Sequence, residues 1–283
     1  MKTSSIYSAI RTLSIALSAA LIAATFSHAQ VAGGQQATPM SSGTDSLQTR
    51  LHMLTDVQTQ GVDHKEVDAY KAFYRESEDI NKKIQLGQAF LQKYPKSSLA
   101  EAVDAGLVTA YYATQDWKDF YASADSALAL KPDDVDVLTN VGWVIPHVFH
   151  ADDPDADSKL DKAETYEKHA LQVLPTLPKP SGLTDAQFAT LKTQKSSQAH
   201  SGLGLVYFRR EDYDNSAKEL QQVVQDNPNP DQTDLFVLGM DLENLKHYAE
   251  AADAFTRCSK LGGNLQDRCS QGADESKKLA QIK

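Results

Sequence analysis

Four stretches of this chain repeat one arrangement of small, large apolar and proline residues about every 34 positions, and this limits the possible folds more than any other feature. In one stretch Leu107 and Tyr111 are followed by Ala127 and Pro132; in the next, Val141 and Gly142 are followed by Ala163, Ala170 and Pro175. A later stretch has Leu203, Gly204 and Tyr207, then Ser216 and Pro228, and the last has Leu238, Gly239 and Leu242, then Ala251, Phe255 and Cys258. Small residues let two antiparallel helices approach closely while large ones fill the gaps between them. Proline ends the second helix because it lacks the N–H that a continuing helix would use. From Leu47 onward apolar residues recur at three- and four-residue spacing and β-branched runs are scarce, which predicts helices almost throughout. Units of this kind pack only on their neighbours, so the size limit on a single hydrophobic core does not apply.

These residues carry a resemblance to the tetratricopeptide repeat, whose pattern asks for Leu-Gly and an aromatic in the first helix, Ala and an aromatic in the second, and Pro at the close. The resemblance covers roughly residues 64–261, including a weaker unit at 64–97 that keeps Tyr70, Tyr74 and Pro95 but has Lys71 where a small residue is expected. It implies an all-α solenoid of about five helical hairpins that binds a protein or peptide through its groove. The stretch Phe90–Ser97 with the helix after it is also similar to tetratricopeptide proteins of the bacterial envelope, among them barrel-assembly factors and peptidoglycan-associated accessory proteins. The barrel-assembly factor carries a lipid on a cysteine, and this sequence has none near the end of its leader.

Residues 1–29 read as a secretory signal peptide: Lys2 and Arg11, an uncharged apolar run from Leu13 to Phe26, then Ser27-His28-Ala29 with small outer residues. The run is shorter than the ~20 apolar residues a bilayer requires. Cleavage after Ala29 takes the formal net charge from −10 to −12. No clustered basic surface remains, which argues against nucleic acid as a partner. The reading is an exported protein, periplasmic or secreted, with no integral membrane span after signal cleavage. Residues 30–46 are poor in large apolar side chains and read as a disordered spacer. Residues 47–175 form an N-terminal half, 176–184 a Pro-rich connector, and 185–283 a C-terminal half. Thr184 and Gln187 predict a capping box opening a long helix, while Gly262-Gly263 predict a stop before a final capping helix over about 265–281. Cys258 and Cys269, the two cysteines of the chain, flank that stop and read as a disulfide in an exported protein.

Two departures from the repeat invite chemistry. Between Gly142 and Ala163 the spacing is 21 residues, against 12 between Gly239 and Ala251. The extra residues bring Asp153, Asp155, Asp157, Asp161 and Glu164 to the ligand spacings of an EF-hand calcium loop, with Ser158 in the place of its glycine. The alternative is a solvated acidic insertion that caps and favours the next helix. His147 and His150, three apart, are a second metal candidate, set against a pair of surface imidazoles at a helix end. No nucleophile elbow, zincin motif or phosphate loop is present, and no carboxylate pair stands out as acid and base. Among the aromatics, Tyr111 and Tyr112 are adjacent, so one of them must face away from its partner helix. Tyr111, Tyr112 and Trp117 are therefore the candidate anchors for a partner segment.

The sequence thus reads as a non-enzymatic scaffold without a cofactor, binding a protein or peptide of the cell envelope. A calcium-responsive adaptor is the alternative and an envelope-polymer hydrolase the remote one.

Overall fold

The computed structural model describes residues 61–180, 182–227 and 230–281. The leader, the spacer and residues 47–60 lie outside them. Among the described residues the secondary structure is helical: α1 (His64–Arg75), α2 (Ile80–Lys93), α3 (Ala100–Thr114), α4 (Trp117–Leu130), α5 (Val135–His147), α6 (Ala156–Val173), α7 (Asp185–Arg209), α8 (Tyr213–Asp226), α9 (Gln232–Asn244), α10 (Tyr248–Lys260) and α11 (Gln266–Gln281), with a short 3-10 turn at Leu174–Thr176. No described helix is long and apolar enough to cross a membrane.

The starts of these helices follow from local chemistry. Asp63, Asp79, Asp116, Asp134, Asp212 and Asp231 each stand at an N-cap and accept from a backbone N–H two or three residues on. Each such cap contributes about 1 kcal/mol. Thr184 caps α7 in the expected capping box with Gln187. Just after inner helices α3, α7 and α9 the chain passes through left-handed Gln115, Glu211 and Lys246, so it reverses within two or three residues and starts the outer helix. Gly262 and Gly263, with φ of 72° and 80°, make the corresponding reversal after α10.

Each helix packs on the next in sequence, and each odd-numbered helix also touches the next odd-numbered one, from α1–α3 through α9–α11. That row of odd helices is the inner layer of an all-α solenoid of tetratricopeptide-type hairpins, with the even helices outside. The repeat pattern sets the fit between the layers. A Cβ on Gly204 would lie 2.6 Å from Leu220, and one on Gly239 would lie 2.6 Å from the ring of Phe255. Unit one uses the same device reversed, with Phe73 of α1 against Gly87 of α2 and Gly106 of α3.

Across the connector at 176–184, α7 packs on both α5 and α6. The apolar core is divided. A small cluster of Val135, Leu138, Ala170 and Leu174 stands apart, and the two large ones run from Tyr70 to Ala163 with Val206 and from Leu205 to Ala273. Between them lie buried polar groups of α5, α6 and α7, including Thr139, Asn140, Glu167, Lys195 and Ser201.

Cys258 and Cys269 are bonded, with a Cα–Cα distance of 5.7 Å, and pin α11 to α10. Replacing both cysteines by serine is expected to lower stability by about 2–3 kcal/mol through the loop entropy returned to the unfolded chain. A urea midpoint that is unchanged in the double variant would show that α11 is held by packing alone.

Candidate functional site

The adjacent tyrosines resolve as their spacing requires. Tyr111 is buried, and its hydroxyl accepts from Gln88 Nε2 of α2 at 2.8 Å. It therefore belongs to the core and drops out of the anchor set predicted from sequence. Tyr112 turns the other way and is half-buried, as is Trp117 at the start of α4. Their rings meet edge to face at 6.1 Å, and Trp117 leans on the buried Phe120 at 5.9 Å. Tyr112 also meets Trp143 of α5 at 6.4 Å, and Trp143 stacks on His147 one turn later at 3.5 Å. The result is one run of rings, Trp117–Tyr112–Trp143–His147, across α3, α4 and α5.

Trp143 is the residue sequence reasoning missed. It follows Gly142 directly, as Leu205 follows Gly204 and Met240 follows Gly239, so alignment of the units could have put it on the inner face. Its indole Nε1–H donates to Ser201 Oγ of α7 at 3.2 Å, and Ser201 donates to Asp234 Oδ1 of α9 at 2.6 Å. A hydrogen-bonded chain therefore links three inner helices beneath the rings. Burial raises the Asp234 carboxyl to about 7, helped by the charge of Asp231 at the α9 cap. Burial and the same Asp231 charge raise the Tyr112 hydroxyl, so Asp231 reaches this part of the face from α9.

His147 and His150 do not share a face. The Nδ1–H of His147 donates to the Trp143 carbonyl at 2.7 Å, and burial lowers its pKa to about 3, so it is a neutral ring in the aromatic run. His150 is exposed on the following turn. Nearby, the Arg209 guanidinium donates from Nε and Nη2 to the Pro146 carbonyl at 3.1 and 3.0 Å and lies over Phe149. These bonds fix the end of α5 against the end of α7.

The acidic insertion does not form a calcium loop. Helix α6 starts at Ala156, so Asp157, Asp161 and Glu164 stand along a helix instead of around a turn. Asp153 and Asp155 are taken by Lys159 Nζ at 2.8 and 2.9 Å. Asp161 and Glu164 are taken by Arg210, the residue that follows α7. Burial alone would raise Glu164, but hydrogen bonds from Lys168, Arg210 and Tyr207 bring it down to about 2. Among the described residues no three His, Cys, Asp or Glu side chains converge on a point where a metal ion would sit. The insertion serves as an ion-paired clasp between α6 and α7.

No family model matches this chain, and no curated protein matches it. Among solved structures it is similar to a tetratricopeptide repeat protein from Parabacteroides merdae ATCC 43184, with 13% identity over 74% of this chain and 99% of that one and a TM-score of 0.32. It is also similar to the P58(IPK) TPR domain, with 14% identity over 77% of this chain and 65% of that one and a TM-score of 0.30. Likeness at this level carries nothing about function, and the architecture is read from the packing of the chain itself: an all-α array of tetratricopeptide-type helical hairpins.

Proposed function

We propose that this protein is an exported, non-enzymatic scaffold that holds a protein or peptide segment of the cell envelope against the inner face of its helical array. The observation that carries the reading is the half-buried pair Tyr112 and Trp117, seated on a rigid floor of Phe120, Trp143 and the Trp143–Ser201–Asp234 chain. Aromatic groups that keep one face free on a fixed support are the type that dominates binding energy at interfaces. Tyr112 stands on inner helix α3 and Trp117 at the start of outer helix α4, so the pair borders the continuous surface that an inner row of helices presents.

Export is supported by the charge and apolar pattern of residues 1–29 and by the Cys258–Cys269 bond, since disulfides persist in oxidising compartments. Mass spectrometry of protein made by its own secretory route is expected to find a chain starting at Gln30; a retained residue 1 would remove export from the proposal. The binding reading is tested by envelope-extract capture on immobilised residues 30–283, followed by affinity measurement with the purified captured protein. Tyr112→Ala with Trp117→Ala is expected to weaken that affinity at least tenfold while helix content stays constant. An affinity unchanged by the pair would place binding elsewhere on the molecule.

A further inference from the structure

In three of the outer helices, α6, α8 and α10, one side chain fills the space over an inner-helix glycine. Phe255 of α10 fits against Gly239 of its own unit and Gly272 of the next helix pair, and Leu220 of α8 fits against Gly204. Glu167 of α6 takes that place in the third unit. A Cβ on Gly142 of α5 would lie 2.5 Å from its carboxyl carbon, and one on Gly202 of α7 would lie 2.3 Å from its Oε1. A carboxyl group thus stands where the other units have hydrocarbon, clamped between two inner helices.

Glu167 is 0% exposed, and neither of its carboxyl oxygens has a hydrogen-bond partner. The charges that face it are Lys195 of α7 and, through Lys195, Asp136 of α5. Lys195 is 3% exposed and already committed: its ammonium pairs with Asp136 at 2.9 Å and donates to Thr139 Oγ1 and Gln198 Oε1. An ionised Glu167 would therefore sit buried with no donor of its own, at a cost of several kcal/mol. Burial holds the carboxyl protonated well above the ordinary carboxylate range, and the Lys195 charge opposes this only in part.

The position of this group matters because it lies at the break between the two large apolar clusters. Trp143 follows Gly142 and Ser201 precedes Gly202, so the glycines that clamp Glu167 adjoin the two residues whose hydrogen bond crosses from α5 to α7. We propose that the α5–α6–α7 joint is a proton-controlled hinge, closed on neutral Glu167 and opened when Glu167 ionises, so that α1–α6 and α7–α11 change their relative angle. Opening separates Trp143 from Ser201. If the inner face binds a partner as proposed above, alkaline release of that partner follows, but the hinge itself does not depend on that reading.

The test uses two exposed positions on opposite sides of the joint, Ser126 on α4 and Lys218 on α8. Spin labels on Ser126→Cys and Lys218→Cys, with the native disulfide intact, report the distance between the halves by pulsed electron resonance at pH 5 and pH 9. The expected result is one narrow distribution at pH 5 that shifts or broadens at pH 9. In Glu167→Gln, and independently in Glu167→Leu, the pH 5 distribution is expected at both pH values. Lys195→Met, which removes the facing cation, is expected to move the midpoint to higher pH. A wild-type distribution identical at pH 5 and pH 9, or a pH 9 change that persists in Glu167→Gln or Glu167→Leu, overturns the hinge. Circular dichroism establishes that each variant is folded, and neither readout involves a partner.

Discussion

Phe255→Ala is expected to lower stability by about 3–5 kcal/mol, the largest loss from any single truncation discussed for this chain. The ring is 2% exposed and joins three helices: it stands on α10, fills the close approach at Gly239 of α9 and at Gly272 of α11, and meets Phe236 at 5.8 Å. Truncation removes the transfer energy of the ring and leaves a cavity whose walls cannot collapse, because the glycines facing it have no side chains to move in. The disulfide adds a constraint, since Cys258 lies one turn from Phe255 and ties α11 in place. Urea unfolding at matched pH measures the loss. Leu220→Ala, which truncates the corresponding residue of the preceding unit against Gly204, is expected to cost slightly less, about 2–4 kcal/mol. A cost below about 1.5 kcal/mol for Phe255→Ala would mean that the unit closes on itself without the ring, contrary to the packing described.

The parts of this structure legible from sequence are those set by local chemistry and by period. Gly239 and Phe255 could be paired because the repeat puts them at fixed offsets, and Thr184 with Gln187 could be read as a capping box because both act within one turn. The outward turn of either Tyr111 or Tyr112 followed from adjacency, although which one turned out depended on where α2 packs. What stayed hidden depended on side chains far apart in the chain. Asp161 and Glu164 fit a calcium spacing until Arg210, 46 residues beyond Glu164, folds onto them. Lys159, inside the same motif, neutralises Asp153 and Asp155, while Asp157 stands in the first turn of α6. Charge spacing alone does not show which carboxylates the protein has already paired.

Glu167 was hidden for the opposite reason. The unit carries its small residues, Gly142, Ala163 and Ala170, where the repeat wants them, so the pattern registers as intact. Yet the residue that should fill the space is a carboxylic acid, on a helix already rich in charged side chains. Such a departure is costly to stability, because a hydrocarbon of similar volume would fill the same space without a polar group to desolvate. The polar layer at α5–α7, with Thr139, Asn140, Lys195, Gln198 and Ser201 around it, trades core stability for a defined seam inside an otherwise continuous solenoid. Repeat arrays fold and move through nearest-neighbour interfaces, so one weak interface localises motion where uniform interfaces would spread it.

Acids buried along the inner helices should also make the whole chain more stable in mild acid than in mild alkali, and Asp241 offers the sharpest test. It is 0% exposed in α9, and burial raises it to about 8. The Ser216 hydroxyl lies 2.8 Å from the Gly204 carbonyl and 2.6 Å from Asp241 Oδ2, and it has one proton to give. An ionised Asp241 would take that proton from Ser216, whereas a neutral Asp241 brings its own and leaves the serine proton to the Gly204 carbonyl; burial, the larger effect, favours the neutral acid. A carboxyl whose folded pKa lies above its unfolded value contributes stability that is complete below the unfolded value of about 4 and is lost as pH rises through the folded one. Asp234, raised to about 7, and Asp104, raised to about 6 by burial, act in the same direction. Glu164, held near 2 by its ion pairs and by Tyr207, opposes them: its contribution is present above about 4.5 and falls away below. The melting temperature is therefore expected to peak near about pH 4 to 4.5, where Glu164 has gained its full contribution and the raised acids have not yet lost theirs, and to decline from there toward pH 8.5. Asp241→Asn keeps the shape, and its amide N–H takes over the donation to Ser216. Relative to the wild type this variant is expected to gain about 3–4 kcal/mol more at pH 8.5 than at pH 5, because the unfolded acid ionises over that range while the buried one resists it, and the amide does neither. A wild-type profile that is flat from pH 5 to 8.5, or an Asp241→Asn variant that is less stable at pH 8.5, would show that Asp241 is ionised in the folded chain and that Ser216 gives its proton to the carboxylate instead of to Gly204.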